Sequence, residues 1–163
     1  MSLNHFYTGP TCRISYRGPL IVMCLEGATE LADLEQLGKC QDLIAPHHAK
    51  ISSITVMNSG FMTVRPGTVE KAAELSAKYK GQTGCSILLV NGRGLMAVMA
   101  RAGIAAYSMT DRSGTRIKTF NVLIEALAAL KDGMAELGTP LTDAEVDEVK
   151  NFIEARPLRP AAP

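Results

Sequence analysis

The chain has 163 residues, 47% of them apolar, with 17 Lys and Arg against 16 Asp and Glu. That is the size of one domain with a core of its own, and it excludes general disorder. A net charge of +1, with no basic cluster, gives no drive toward nucleic acid or anionic lipid. No apolar run approaches the roughly 18 residues of a membrane span, and Met1-Ser2-Leu3-Asn4-His5 does not read as a signal peptide. A cytoplasmic protein is the expectation.

Residues 1–10 read as an N-terminal extension, its first residues in part an expression scar. Residues 11–16 and 20–25 are β-prone runs separated by Arg17-Gly18-Pro19, which predicts a hairpin. The period changes after Glu26-Gly27-Ala28. Leu31, Leu34, Leu37, Leu43 and Ile44 form one helical face, with Thr29 as N-cap and Pro46 as the stop. Residues 51–57 supply a third strand and Asn58-Ser59-Gly60 a turn. Arg65-Pro66-Gly67-Thr68 precedes a helix running to about Lys80, whose inner face is read as Val69, Ala72, Ala73 and Ser76. Gly81 and Gly84 bracket the turn into a strand at 85–90.

Gly92-Arg93-Gly94 then opens a helix at 95–109 that is apolar on nearly every side. Met96, Val98, Met99, Ile104, Ala105 and Tyr107 go round it, and Arg101 and Ser108 are its polar residues. Residues 116–120 read as a short strand near a sheet edge. Asn121 is expected to cap a helix carrying Val122, Leu123, Leu127 and Leu130, which Gly138-Thr139-Pro140 ends. Thr142 and Glu145 make a capping box before a stripe of Val146, Val149, Phe152 and Ile153. The units expected are thus the extension 1–10, an α/β domain 11–137, an appended helix 138–155 and a loose tail 156–163.

Candidate chemistry is sparse. Cys12, Cys24, Cys40 and Cys85 lack C-x-x-C or Cys/His ligand spacing, so they read as buried free thiols with no metal. His47 and His48 fall in a connection, where solvated imidazoles are the ordinary case. No catalytic residue and no cofactor is assigned. Gly92-Arg93-Gly94-Leu95-Met96-Ala97 matches G-x-G-x-x-A, yet the next strand, closing at Phe120-Asn121-Val122, ends in no acid, and the strand that feeds the pattern follows three others instead of opening the sheet. A dinucleotide site is therefore disfavoured, and an anion site at Gly92, Arg93 and Gly94 is the better reading of that loop. The apolar helix is the strongest functional signal. A second apolar side marks an interface, with Met96, Met99, Ile104 and Tyr107 facing a partner or ligand. The alternative is that the C-terminal helix covers it within the chain.

The order ββαβαβαβα resembles the STAS domain, the fold of anti-sigma-factor antagonists and of the cytoplasmic tails of sulfate transporters. The resemblance is carried by Leu25-Glu26-Gly27 after the hairpin and by Ile54-Thr55-Val56-Met57-Asn58-Ser59-Gly60-Phe61 at the central strand. The segment Phe120-Asn121-Val122-Leu123-Ile124-Glu125-Ala126-Leu127-Ala128-Ala129-Leu130 at the close completes it. It spans residues 11–130. It implies an α/β fold with a mixed sheet, an opening hairpin followed by βαβαβα, and helices packed on the sheet. It also implies a non-enzymatic regulatory or interaction domain, which the apolar helix 95–109 makes a homodimer. Where antagonist members carry the phosphorylation motif Asp-Ser-Ser-Gly-Leu, this chain has Arg65-Pro66-Gly67-Thr68-Val69. The acceptor serine is replaced, which leaves Thr68 as the candidate phosphoacceptor in that stretch. Two other functions fit the same residues: a carrier or sensor holding a lipid or other hydrophobic small molecule against helix 95–109, and an enzyme using loop 92–94 on an anionic substrate.

Overall fold

The computed structural model describes residues 2–58, 65–91 and 117–155. Six strands, β1 (Asn4–Thr8), β2 (Cys12–Arg17), β3 (Leu20–Leu25), β4 (Ile51–Met57), β5 (Thr83–Val90) and β6 (Ile117–Phe120), lie side by side in sequence order. Strand β1 pairs antiparallel with β2 and β2 antiparallel with β3, and β3 to β6 run parallel. Among the described residues four α-helices accompany them: α1 (Leu31–Ile44), α2 (Thr68–Lys78), α3 (Leu123–Glu136) and α4 (Asp143–Glu154). This is the mixed α/β sheet with an opening hairpin that the sequence implies.

The hairpin turn falls at Gly18, whose φ of 50° suits a residue without a Cβ. The parallel strands must be joined by crossovers, and α1 and α2 fill the first two. Alternation along β3 shows how the layers divide. Leu20, Val22 and Cys24 point into a core with α3 and α4, whereas Ile21, Met23 and Leu25 point into a second core with α1 and α2.

Several boundaries differ from expectation. Residues 4–8, read as part of an extension, pair with β2 as an edge strand, and the Leu3 backbone N–H donates to Glu148 Oε1 at 2.7 Å. A five-residue strand with two polar ends and a register shift has no clear alternation of its own. The cap of α1 is Glu30, not Thr29, because the Asp33 carboxylate reaches back to the Glu30 N–H at 3.0 Å. In α2 and the turn after it the buried residues are Thr68, Leu75 and Tyr79. Val69, Ala72 and Ser76 lie on the same side and border gaps above the sheet, which leaves Val69 54% exposed, whereas Ala73 is exposed and borders neither gap. Helix α3 is capped at Val122 rather than Asn121, and Val122 is exposed.

The C-terminal signals act as read. Gly138 N–H donates to Ala135 O and Thr139 N–H to Met134 O, each at 3.0 Å, closing α3 in a Schellman turn with Gly138 at φ 76°. Thr142 and Glu145 form the reciprocal capping box of α4. The α4 stripe packs against α3 and β3: Val149 and Ile153 are buried, with Val146 and Phe152 beside them. Two arginines of β2 hold this helix. Arg17 pairs with Glu145 and Glu148, and the Arg13 guanidinium lies 4.9 Å from the Phe152 ring centre and donates to the Phe152 carbonyl at 3.0 Å.

Candidate functional site at the carboxyl edge of the sheet

Open α/β sheets place ligands beyond the carboxyl ends of their parallel strands. In this protein that edge carries a continuous polar row. Register sets Leu25 beside Met57 and Met57 beside Val90, so Glu26, Asn58 and Asn91 come next on three adjacent strands and share one face. Asn91 Nδ2 donates to Asn58 Oδ1 at 2.7 Å, and Asn58 Nδ2 donates to Glu26 Oε1 at 2.6 Å. Arg13 Nη2 lies 4.0 Å from the same carboxylate oxygen. The Arg13 side chain is 9% exposed, and its Nε and Nη2 have no hydrogen-bond partner. The row is thus a polarised chain of amides ending on a carboxylate and a buried guanidinium. It can hold and orient a polar group. A second network lies alongside: Thr11 Oγ1 donates to Asp33 Oδ2 at 2.9 Å, and Arg65 Nε donates to Glu30 Oε1 at 3.2 Å.

The residues singled out in the sequence fall differently. Gly92, Arg93, Gly94, Met96, Met99, Ile104 and Tyr107 lie outside the described residues. Thr68 is the first residue of α2, 5% exposed, and its hydroxyl donates to the Arg65 carbonyl at 2.6 Å. His5 lies in β1, His47 in a short 3-10 turn after α1, and His48 just beyond it. Among the described residues no group of three or more His, Cys, Asp or Glu could hold a metal ion.

All four cysteines are free. Burial raises the Cys24 thiol to about 11, with Arg13 opposing and Glu26 adding to the rise. Burial alone raises Cys40 to about 12. Cys12 is pushed up further by burial, then by Asp33, and Cys85 is raised chiefly by burial. These groups stay protonated near neutral pH, the wrong form for a nucleophile or ligand. The row at Glu26, Asn58 and Asn91 escaped the sequence reading. Each residue follows an apolar run by one position, a signal that acquires meaning only once the strand register is known.

Fold and site define an α/β protein with a mixed sheet and a polar carboxyl edge. No family model matches the chain, and no curated protein matches it. Among solved structures it is similar to an uncharacterized protein from the DUF3478 family with a SpoIIAA-like fold from Shewanella loihica PV-4. The identity is 12% and the TM-score 0.47, over 78% of this chain and 90% of that one.

Proposed function

We propose that this chain is a non-enzymatic regulatory or protein-interaction domain, working in a reducing cytoplasm as a homodimer through the apolar segment 95–109. Met96, Met99, Ile104 and Tyr107 are the contact residues of this reading. The observation that carries it is the position of α4. That helix was the intrachain alternative for covering the second apolar side of 95–109, but its stripe of Val146, Val149, Phe152 and Ile153 is committed to the core with α3 and β3. A partner molecule is then the better cover. Four free thiols fit a reducing compartment. No described helix is long and apolar enough to cross a membrane.

Native mass spectrometry tests the reading directly, with a doubled mass expected. Met99→Glu with Ile104→Glu should give a folded monomer, because charges buried unpaired in an interface are strongly unfavourable. A dimer of unchanged stability would remove this segment from the interface, and an unfolded variant would assign it to the core. Regulation by phosphate at Thr68 is not part of the proposal, since its hydroxyl is buried and engaged with Arg65. Intact-mass analysis of native protein should show no stoichiometric phosphate there.

A further inference from the structure

On the two central strands β4 and β5, the apolar residues facing α3 and α4 include Ile54, Val56, Ile87 and Leu89, each at most 2% exposed, with Ser52 the buried hydroxyl on that side. The opposite face mixes Ile51, Met57, Leu88 and Val90 with Ser53, Thr55 and Ser86, the three hydroxyls half-buried. Hydroxyls there are unexpected, because parallel strands covered by helices are normally apolar on both faces. Above these hydroxyls, between the sheet and helices α1 and α2, lie two cavities of about 270 and 210 Å³ that share Leu34, Leu37 and Ala72 as walls. The first is mainly apolar, with Met23, Leu25 and Met57 below and Thr55 as a hydroxyl. The second is bounded by Ser53, Ser86 and Gln41. No charged side chain bounds either cavity among the described residues.

We propose that the two cavities form one slot that binds an uncharged amphipathic small molecule, with its apolar body on Leu34, Leu37 and Met57 and a hydroxyl or amide N–H at the Ser53 and Ser86 end. These hydroxyl side chains border the second cavity, so a polar group placed there gains hydrogen bonds that an apolar one would forfeit. Walls without charge among the described residues select against carboxylate, phosphate or ammonium groups, whose burial here would be unpaired. Ser53 and Met57 are four residues apart on β4, so the slot runs roughly 13 Å along the strand. The site lies within one chain and goes beyond the proposed homodimer without depending on it.

The test titrates the full chain with N-phenyl-1-naphthylamine, an uncharged arylamine with one N–H that fluoresces in apolar surroundings. The expected result is a saturable rise in emission that 1-decanol reverses and decanoate does not. Ala72→Phe, which fills the shared waist of the slot, should abolish the rise. The Met23 and Met57 methyl resonances should shift with 1-decanol in the unaltered protein, a readout that stands whether or not Ala72→Phe folds. The Met99→Glu, Ile104→Glu variant should bind the probe unchanged, which separates this outcome from failure of the dimer reading. Absence of a saturable signal, displacement by decanoate as by decanol, an unchanged titration in folded Ala72→Phe, or unmoved Met23 and Met57 methyls would each overturn the proposal.

Discussion

The two helical layers cover one sheet by opposite means. Helix α3 sits directly on β5: a Cβ added at Gly133 would overlap the Cys85 sulfur and come within 2.9 Å of Cys85 Cβ, and Leu130 and Met134 beside it are at most 1% exposed. Helix α2 is instead tied sideways to α1. Leu75 closes on Gly38, where an added Cβ would lie 2.9 Å from Leu75 Cδ2. Lys78 Nζ donates to Asp42 Oδ1 at 2.6 Å, and the Tyr79 hydroxyl donates to the same oxygen. A layer seated on the sheet expels everything between, whereas a layer braced from its neighbour can span a gap. That is how close packing and a slot coexist on two faces of the same strands.

Substitutions can break or sharpen this contrast. The largest effect is expected on the α3 side: Leu130→Ala should cost about 2–5 kcal/mol, because a fully buried leucine leaves a cavity that the layer cannot collapse into. Urea unfolding at neutral pH measures it. Gly133→Ala should cost roughly 1–3 kcal/mol by overpacking against Cys85, and a neutral result would show that α3 rides higher than its glycine contact requires.

A smaller effect is expected from the brace between α1 and α2. Hydrogen bonds from Lys78 and then from Tyr79 hold the Asp42 carboxyl below the usual carboxylate range. A folded-state value below the unfolded one adds stability that is complete above an unfolded value of about 4 and is lost as pH falls through the folded value. The urea midpoint should therefore drop on acidification below about pH 4, and Asp42→Asn should flatten part of that drop. The groups are exposed, so added salt should shrink the difference. Unaltered acid sensitivity in Asp42→Asn would show that the brace carries no weight. The smallest change is expected for Thr55→Val, within about 0.5 kcal/mol of neutral, since its half-buried hydroxyl has no hydrogen-bond partner among the described residues. A large loss would mean that the hydroxyl floor is structural.

Local signals made much of this architecture readable from the residues. The Gly18 hairpin, the Thr142 capping box and the Gly138 stop are each decided within about six residues, so no tertiary knowledge is needed. Strand β1 is different, since its place depends on an edge vacancy beside β2. The inner side of α2 was legible in part: Val69, Ala72 and Ser76 border the gap above the sheet, while the larger Leu75 and Tyr79 that close it carry no periodic signal of their own. The polar row required register, which places Glu26, Asn58 and Asn91 together only through pairings more than thirty positions apart. The hydroxyl floor was open to reading: in Ile51-Ser52-Ser53-Ile54-Thr55-Val56-Met57, Ser53 and Thr55 alternate with Ile54 and Val56 on what had to be an inner strand. The interface and anion-loop residues between 92 and 107 lie outside the described residues and stand on their sequence pattern.

The bond from Leu3 to Glu148 joins positions 145 apart, and those of Arg17 to Glu148 and Arg13 to Phe152 span 131 and 139. Closing such long loops is the slow, entropically demanding part of folding. A chain made from its amino end exposes Leu3, Arg13 and Arg17 long before their counterparts are synthesised. The β3–β5 centre with α1 and α2 can therefore organise during translation, while the guanidinium of Arg13 stays hydrated until α4 leaves the ribosome. The contacts made last then fall on β1 and β2, strands synthesised before the centre they flank.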